Sequence, residues 1–166
     1  MDKRATSLVA RHAESMNTTP AHPTPEDIPD DLPEINTPLD LHRCWTMLMG
    51  ELGFTEPKIW LIPIWPDGMV VPHVVQVAEL PAYPSGSDFE SLIGVCERLL
   101  EYQQEGLSFA MLLSRPGRNV LTDTDRAWAV GIDRVARERG VCVHPTHLAN
   151  DEAIRVFAPD DLIGVA

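Results

Sequence analysis

The chain of 166 residues reads as an α/β protein with a mixed sheet and helices packed on its faces. Three observations carry that expectation. The segment Leu107 to Leu113 is a short, near-continuously apolar run of the kind found in strands buried on both faces, and Lys58 to Trp65, rich in Ile and Trp, reads as one arm of a hairpin. Helical patterns with start signals stand before, between and after the strand-like runs. The resulting order, α-β-β-α-β-α-β-β, calls for one sheet holding both parallel and antiparallel neighbours.

Residues 1 to 36 come first and are unlike the rest. Pro20, Pro23, Pro25, Pro29 and Pro33 stand among Glu26, Asp27, Asp30, Asp31 and Glu34, and no Lys or Arg occurs between Arg11 and Arg43. Such a stretch buries too little apolar surface to offset its ordering entropy. The expectation is a flexible, acidic, Pro-rich tail over 1–36 and a single α/β domain over 37–166. Ile28, Leu32 and Ile35, spaced among acids, suit a linear motif that docks on a basic groove of a partner.

The domain opens at Thr37-Pro38-Leu39-Asp40, with a threonine N-cap, a proline at the first helical position and an acid at N3. Leu41, Trp45, Leu48, Met49 and Leu52 give this helix one apolar face, and Gly50 and Gly53 mark its stop. Lys58 to Trp65 and Met69 to Leu80 flank the turn residues Trp65-Pro66-Asp67-Gly68 and form a hairpin. Pro63 and Pro72 lack an amide hydrogen, so each belongs at an edge or a bulge. His73 lies in the second arm as a satisfied or exposed strand histidine. Ser87-Asp88-Phe89-Glu90 reads as a capping box for a second helix with Phe89, Leu92, Ile93, Cys96, Leu99 and Leu100 inward, ended by Gly106. The strand Leu107 to Leu113 follows and belongs in the middle of the sheet. After the loop Ser114 to Leu121, Thr122 and Asp125 cap a third helix that carries Trp128, Ile132 and Val135 inward and stops at Gly140. Val141 to His144 and Ala153 to Phe157 are the last strands, with Asn150-Asp151 as the turn before the final one.

Composition narrows the function. With 25 acidic against 13 basic residues the formal charge is −12, which disfavours nucleic acid as a partner. No run approaches the ~18 apolar residues of a membrane span and no signal pattern opens the chain, so no membrane partner and a cytoplasmic location are expected. Cys44, Cys96 and Cys142 are far apart within apolar runs and read as buried, reduced thiols. A Gly-rich phosphate loop, a G-x-S-x-G turn and an HExxH helix are absent from the sequence.

The segment Leu113-Ser114-Arg115-Pro116-Gly117, followed by Thr122-Asp123-Thr124-Asp125, by Gly140-Val141-Cys142-Val143 and by His147, resembles the JAB/MPN metalloprotein fold in its RadC-like branch. It also resembles actinobacterial proteins with an LLxRPG and T-x-x-DRAWA pattern. The resemblance spans about Ser87 to Leu162 and implies a JAB/MPN, cytidine-deaminase-like architecture. In that family a His-x-His-Pro-x-Gly element and a Ser/Thr-x-x-Asp hold zinc, and here the two histidine positions read Leu113 and Arg115. Leucine offers no donor and arginine stays protonated, so the resemblance implies a module without catalytic residues, metal or cofactor that binds a protein partner. Glu79 is the only upstream carboxylate placed to resemble the family's catalytic glutamate.

Two readings of the site remain open at this stage. Ser114, Arg115, Arg118, Asn119, Thr122 and Asp125 make a donor-rich place beside a helix start, suited to a carboxylate or phosphate. Alternatively Arg115 pairs with Asp123 or Asp125 and holds the loop. The substitution Arg115→Ala is accordingly expected to leave folding almost unchanged and to weaken anion binding. A zinc hydrolase would require a rebuilt site from Asp125, His144 and His147. A further reading from the charge is an acidic decoy of a nucleic-acid-binding protein.

Overall fold

A computed structural model describes residues 28–103 and 106–163. Along the chain the elements are helix α1 (Pro38–Met49), strands β1 (Lys58–Ile64) and β2 (Val75–Val77), helix α2 (Gly86–Gln103), strand β3 (Ser108–Ser114), helix α3 (Asp123–Arg139), strands β4 (His147–Ala149) and β5 (Ile154–Val156), and a 3-10 turn (Pro159–Leu162). The five strands form one sheet in the order β2-β1-β3-β4-β5, with β3 and β4 parallel and every other pair antiparallel. The expected mixed α/β class and element order are both found. β3 is the central strand and pairs with β1 along its whole length, from Lys58↔Ser114 to Ile64↔Ser108.

The apolar runs in β1 and β3 are explained by two cores, one on each face of the sheet. Side chains alternate along a strand. Ile59 and Leu61 of β1 and Phe109, Met111 and Leu113 of β3 therefore meet α2 and α3, through Phe89, Ile93, Trp128, Ile132 and Val135. Trp60, Ile62, Ile64, Ala110 and Leu112 point the other way, onto Leu41, Cys44, Trp45, Leu48 and Met49 of α1. Helix α3 lies against α2 through an edge-to-face contact of Trp128 with Phe89, with ring centroids 5.5 Å apart. Gly131 makes this approach possible: a Cβ at that position would overlap the Phe89 ring.

Helices α1 and α3 start as their sequences predict. Thr37 with Asp40, and Thr122 with Asp125, form complete capping boxes, and Gly50 and Gly140 close the C-termini. In α2 the start is two residues earlier than expected. Ser85 rather than Ser87 precedes the first turn, and the Asp88 carboxylate accepts from both the backbone N–H and the hydroxyl of Ser85, at 2.7 and 3.0 Å.

The second hairpin arm is broken. Between the pairs Ile64↔Val70 and Leu61↔Val75, three steps along β1 face five along the arm, so two extra residues loop out around Pro72 and His73. His73 is exposed there. Pro63 sits within β1 opposite this break. Its carbonyl accepts from Val71 N–H, so the side on which its own N–H is missing is the side where the ladder is interrupted. The strand expected at Val141 to His144 shrinks to one bridge, Phe109↔Val143, and β4 forms further on, at His147–Ala149. Three steps along β3 here match four along the partner chain, and the extra residue falls in a stretch containing Pro145, which has no N–H for the ladder.

The expected tail boundary at residue 36 is also corrected. Ile35 is only 8% exposed, and Ile28 and Leu32 pack on the same core as α1, so these three residues serve the chain's own domain rather than a partner's groove. Ile35 N–H donates to Gly68 O at 2.8 Å, and the Ile35 carbonyl would lie 2.7 Å from any Cβ on Gly68. The part of the tail expectation that concerns residues 1–27 lies outside the described residues. Among the described residues no helix is long and apolar enough to cross a membrane.

Candidate functional site

The loop from Ser114 to Thr122 leaves the C-terminal end of β3, where ligands gather in open α/β sheets. Its construction begins with Arg115. The Nε and Nη2 groups donate to the two oxygens of Asp125 at 2.8 and 2.7 Å, Nη1 donates to the carbonyls of Pro116 and Arg118, and Nη2 also donates to the carbonyl of Val120. All five guanidinium N–H donors are therefore used within the loop. Asp125, 1% exposed, accepts additionally from Thr122 N–H at 2.9 Å while its own N–H donates to Thr122 Oγ1. One ion pair thus ties the strand end, the loop backbone and the first turn of α3.

The remaining residues expected at this place are engaged as well. Ser114 is buried, and its hydroxyl accepts from the Trp60 indole N–H at 2.9 Å. Asn119 donates its backbone N–H to Glu152 at 2.8 Å, and its side-chain oxygen accepts from Asn150 at 3.0 Å. Arg118 is exposed, and among the described residues its guanidinium has no partner. The geometry is therefore that of the holding pair, with Asp125 rather than Asp123 as the acid, and no N–H of Arg115 is left for a bound carboxylate or phosphate.

The turn between β4 and β5 completes the arrangement. Asn150 is fully buried, and its side-chain oxygen caps the turn by accepting from the amides of Glu152 and Ala153 at 2.9 and 2.8 Å. Asp151 accepts from Gly117 N–H at 2.7 Å and from Phe54 N–H at 3.0 Å, so it joins this loop to the segment after α1. Those two amides, Gly117 first, hold its carboxyl below the usual range against a small opposing effect of burial. Asn150-Asp151 was legible as turn chemistry; its service to the distant Gly117 and Phe54 was not, because neither spacing nor pattern marks a contact across so many residues.

The structure does not bring Asp125, His144 and His147 together, which corrects the rebuilt zinc site. Asp125 is bound to Arg115 beyond the last residue of β3, whereas His144 Nε2 lies 3.0 Å from the hydroxyl of Ser108, the first residue of β3. Seven residues of strand separate those ends by roughly 20 Å. His147 turns to the α1 face, with its ring 6.0 Å from that of His42 and Nδ1 3.2 Å from Pro145 O. Among the described residues no group of three His, Cys, Asp or Glu side chains is placed to hold a metal. Glu79 stands two residues past β2, exposed, with a left-handed φ of 57°.

The cysteines divide. Cys44 and Cys96 are buried, and desolvation pushes both thiols up to about 12. Cys142 is exposed, contrary to expectation, because it lies where the anticipated strand reduces to a single bridge. It lines an open cavity of about 380 Å³ at the N-terminal end of β3, together with Leu100, Gly106, Leu107, Ser108 and Gly140.

The class defined by fold and loop is a mixed α/β protein whose strand-end loop is closed on itself by a buried ion pair. No protein-family model and no curated protein matches the chain.

Proposed function

We propose that the chain is a non-catalytic binding or scaffolding module, related to JAB/MPN domains of the RadC-like branch, that acts by protein–protein interaction. The observation that supports this reading is the guanidinium of Arg115 on the carboxylate of Asp125. In the resemblance, Arg115 stands at a zinc-binding histidine and Asp125 at the zinc-binding aspartate. The arginine then supplies as a fixed side-chain cation the counter-charge that the metal supplies elsewhere. Leu113, at the other histidine position, is packed into the core beside α2 and α3. A hydrolytic mechanism through zinc would need donors on an ion at this place, and the Asp125 carboxylate is already paired with Arg115.

Restoring the two histidines tests the proposal. The wild-type chain, exposed to zinc and dialysed, is expected to retain none by elemental analysis. The Leu113→His/Arg115→His variant is expected to retain about one zinc per chain through both imidazoles and Asp125. A folded variant that holds no zinc removes the JAB/MPN correspondence. Stoichiometric zinc in the wild type overturns the non-catalytic reading.

A further inference from the structure

Two histidines, His42 and His147, meet where α1 lies on the sheet, and a third, His144, stands close enough for its charge to be felt at His147. His147 begins β4 and shares a face with Ala149, which packs under α1. His42 comes down from α1, its ring 6.0 Å from that of His147. His144 precedes them on the same face, because Val143 beside it turns to the opposite core. His147 is 3% exposed, and His42 and His144 are half-buried.

Among the described residues, the acceptors that meet these rings are one carbonyl and one hydroxyl. In the sheet His147 is flanked by Leu112 of β3 and Val156 of β5, neither of which titrates. Pro145 O accepts at His147 Nδ1, and Ser108 meets His144. On α1, Arg43 is exposed, and Asp40 is engaged at the helix start by the amides of Asn36 and Thr37. Among the described residues none of the three rings is paired with a carboxylate.

We propose that His42, His144 and His147 form a proton-operated latch that releases α1 from the sheet in mildly acidic conditions. Charging His147, with His144 close by, places positive charge beneath α1 in a layer that holds Trp45, Trp60, Ile62 and Leu112. Lifting α1 lets the rings take up protons in water and exposes that apolar face. Among the described residues the core between the sheet and the α2/α3 pair has no histidine in it, and it stays closed.

The sign follows from linkage. Burial first, opposed by the Pro145 carbonyl, and then the charges of His42 and His144 bring His147 down to about 4, and burial also lowers His144. The open form, with an ordinary value near 6.5, binds protons first. The closed form is therefore fully favoured above about 6.5 and loses ground as the pH falls from there to about 4. At pH 5 His147 alone raises the opening constant roughly thirtyfold over its value at pH 7.5.

Hydrogen exchange read by mass spectrometry on the full chain at pH 7.5 and 5.0, corrected for intrinsic rates, tests the latch. Peptides from α1 are expected to open roughly thirtyfold more at pH 5.0, reversibly, while those from α3 hold their protection. In His147→Gln the rise is expected to fall to the smaller part that His144 supplies. Equal loss of protection in α1 and α3 overturns the proposal, as does a full rise in the variant. Should His147→Gln fail to fold, His42→Gln takes its place and is expected to show a smaller rise than wild type, an unchanged rise being the contrary result. A proton NMR titration gives a further measure: the His147 ring must stay neutral down to about pH 5, and titration near 6.5 overturns the latch.

Discussion

Replacing Arg115 by alanine is the perturbation that most directly probes how the strand-end loop is held. The side chain is 13% exposed and its partner carboxylate 1%, so the truncation leaves Asp125 charged in a site with little water. Removing one partner of a buried pair costs about 3 to 5 kcal/mol, because the remaining charge is uncompensated. The Pro116, Arg118 and Val120 carbonyls lose their donor too, but they lie at the surface and can turn to water. With a urea slope of about 2 kcal/mol per molar, the unfolding midpoint is expected to fall by roughly 2 M. The assay is equilibrium unfolding followed by tryptophan fluorescence for wild type, Arg115→Ala, Asp125→Ala and the double variant. The double variant should be more stable than the sum of the single losses predicts by about 2 kcal/mol or more, since it leaves no orphaned charge. A loss under about 1 kcal/mol in Arg115→Ala, with no coupling in the cycle, refutes the holding role and returns Arg115 to the status of a surface cation.

Two further substitutions test the packing. Gly131→Ala gains about 1 kcal/mol in helix propensity, yet its methyl group meets the Phe89 ring; a net loss of about 1 to 3 kcal/mol is expected by thermal or urea unfolding, and a stabilised variant contradicts the close approach of α2 and α3. Ile35→Ala should cost about 2 kcal/mol because Ile35 is inside the α1 core, and a neutral result restores the expected boundary at residue 36.

What the sequence made legible was mostly local. The Thr37–Asp40 and Thr122–Asp125 boxes depend on residues three apart, and both form as read. The apolar run in β3 revealed that this strand is buried on both faces, since a run without alternation needs two cores; that β1, read as a hairpin arm, is buried in the same way emerged from the structure. Less legible were features decided by tertiary register. The loop around Pro72 and His73 was signalled by a proline, but its length depends on how far Val75 must travel to pair with Leu61. The displacement of β4 past Pro145 depends on β3 in the same way. At the loop, the adjacency of Arg115 to an acidic helix start made the ion pair readable. That all five donors would be consumed was not readable, because three of the acceptors are backbone carbonyls, which every residue possesses. The His42–His147 contact joins α1 to β4 and has no signature in either segment.

The shortness of the outer strands has a consequence for how the chain behaves at high concentration. Its longest apolar strands, β1 and β3, are each seven residues and lie inside the sheet, while both margins are three-residue strands. On the β2 side the looped-out Pro72 and His73 interrupt the row of amides that another copy would need as a template. Two such margins brought together could share only a few hydrogen bonds before their registers diverged. Growth into stacked, fibre-like sheets would first require the interior strands to be uncovered, so resistance to self-association is tied to the integrity of the hairpin rather than to surface charge alone.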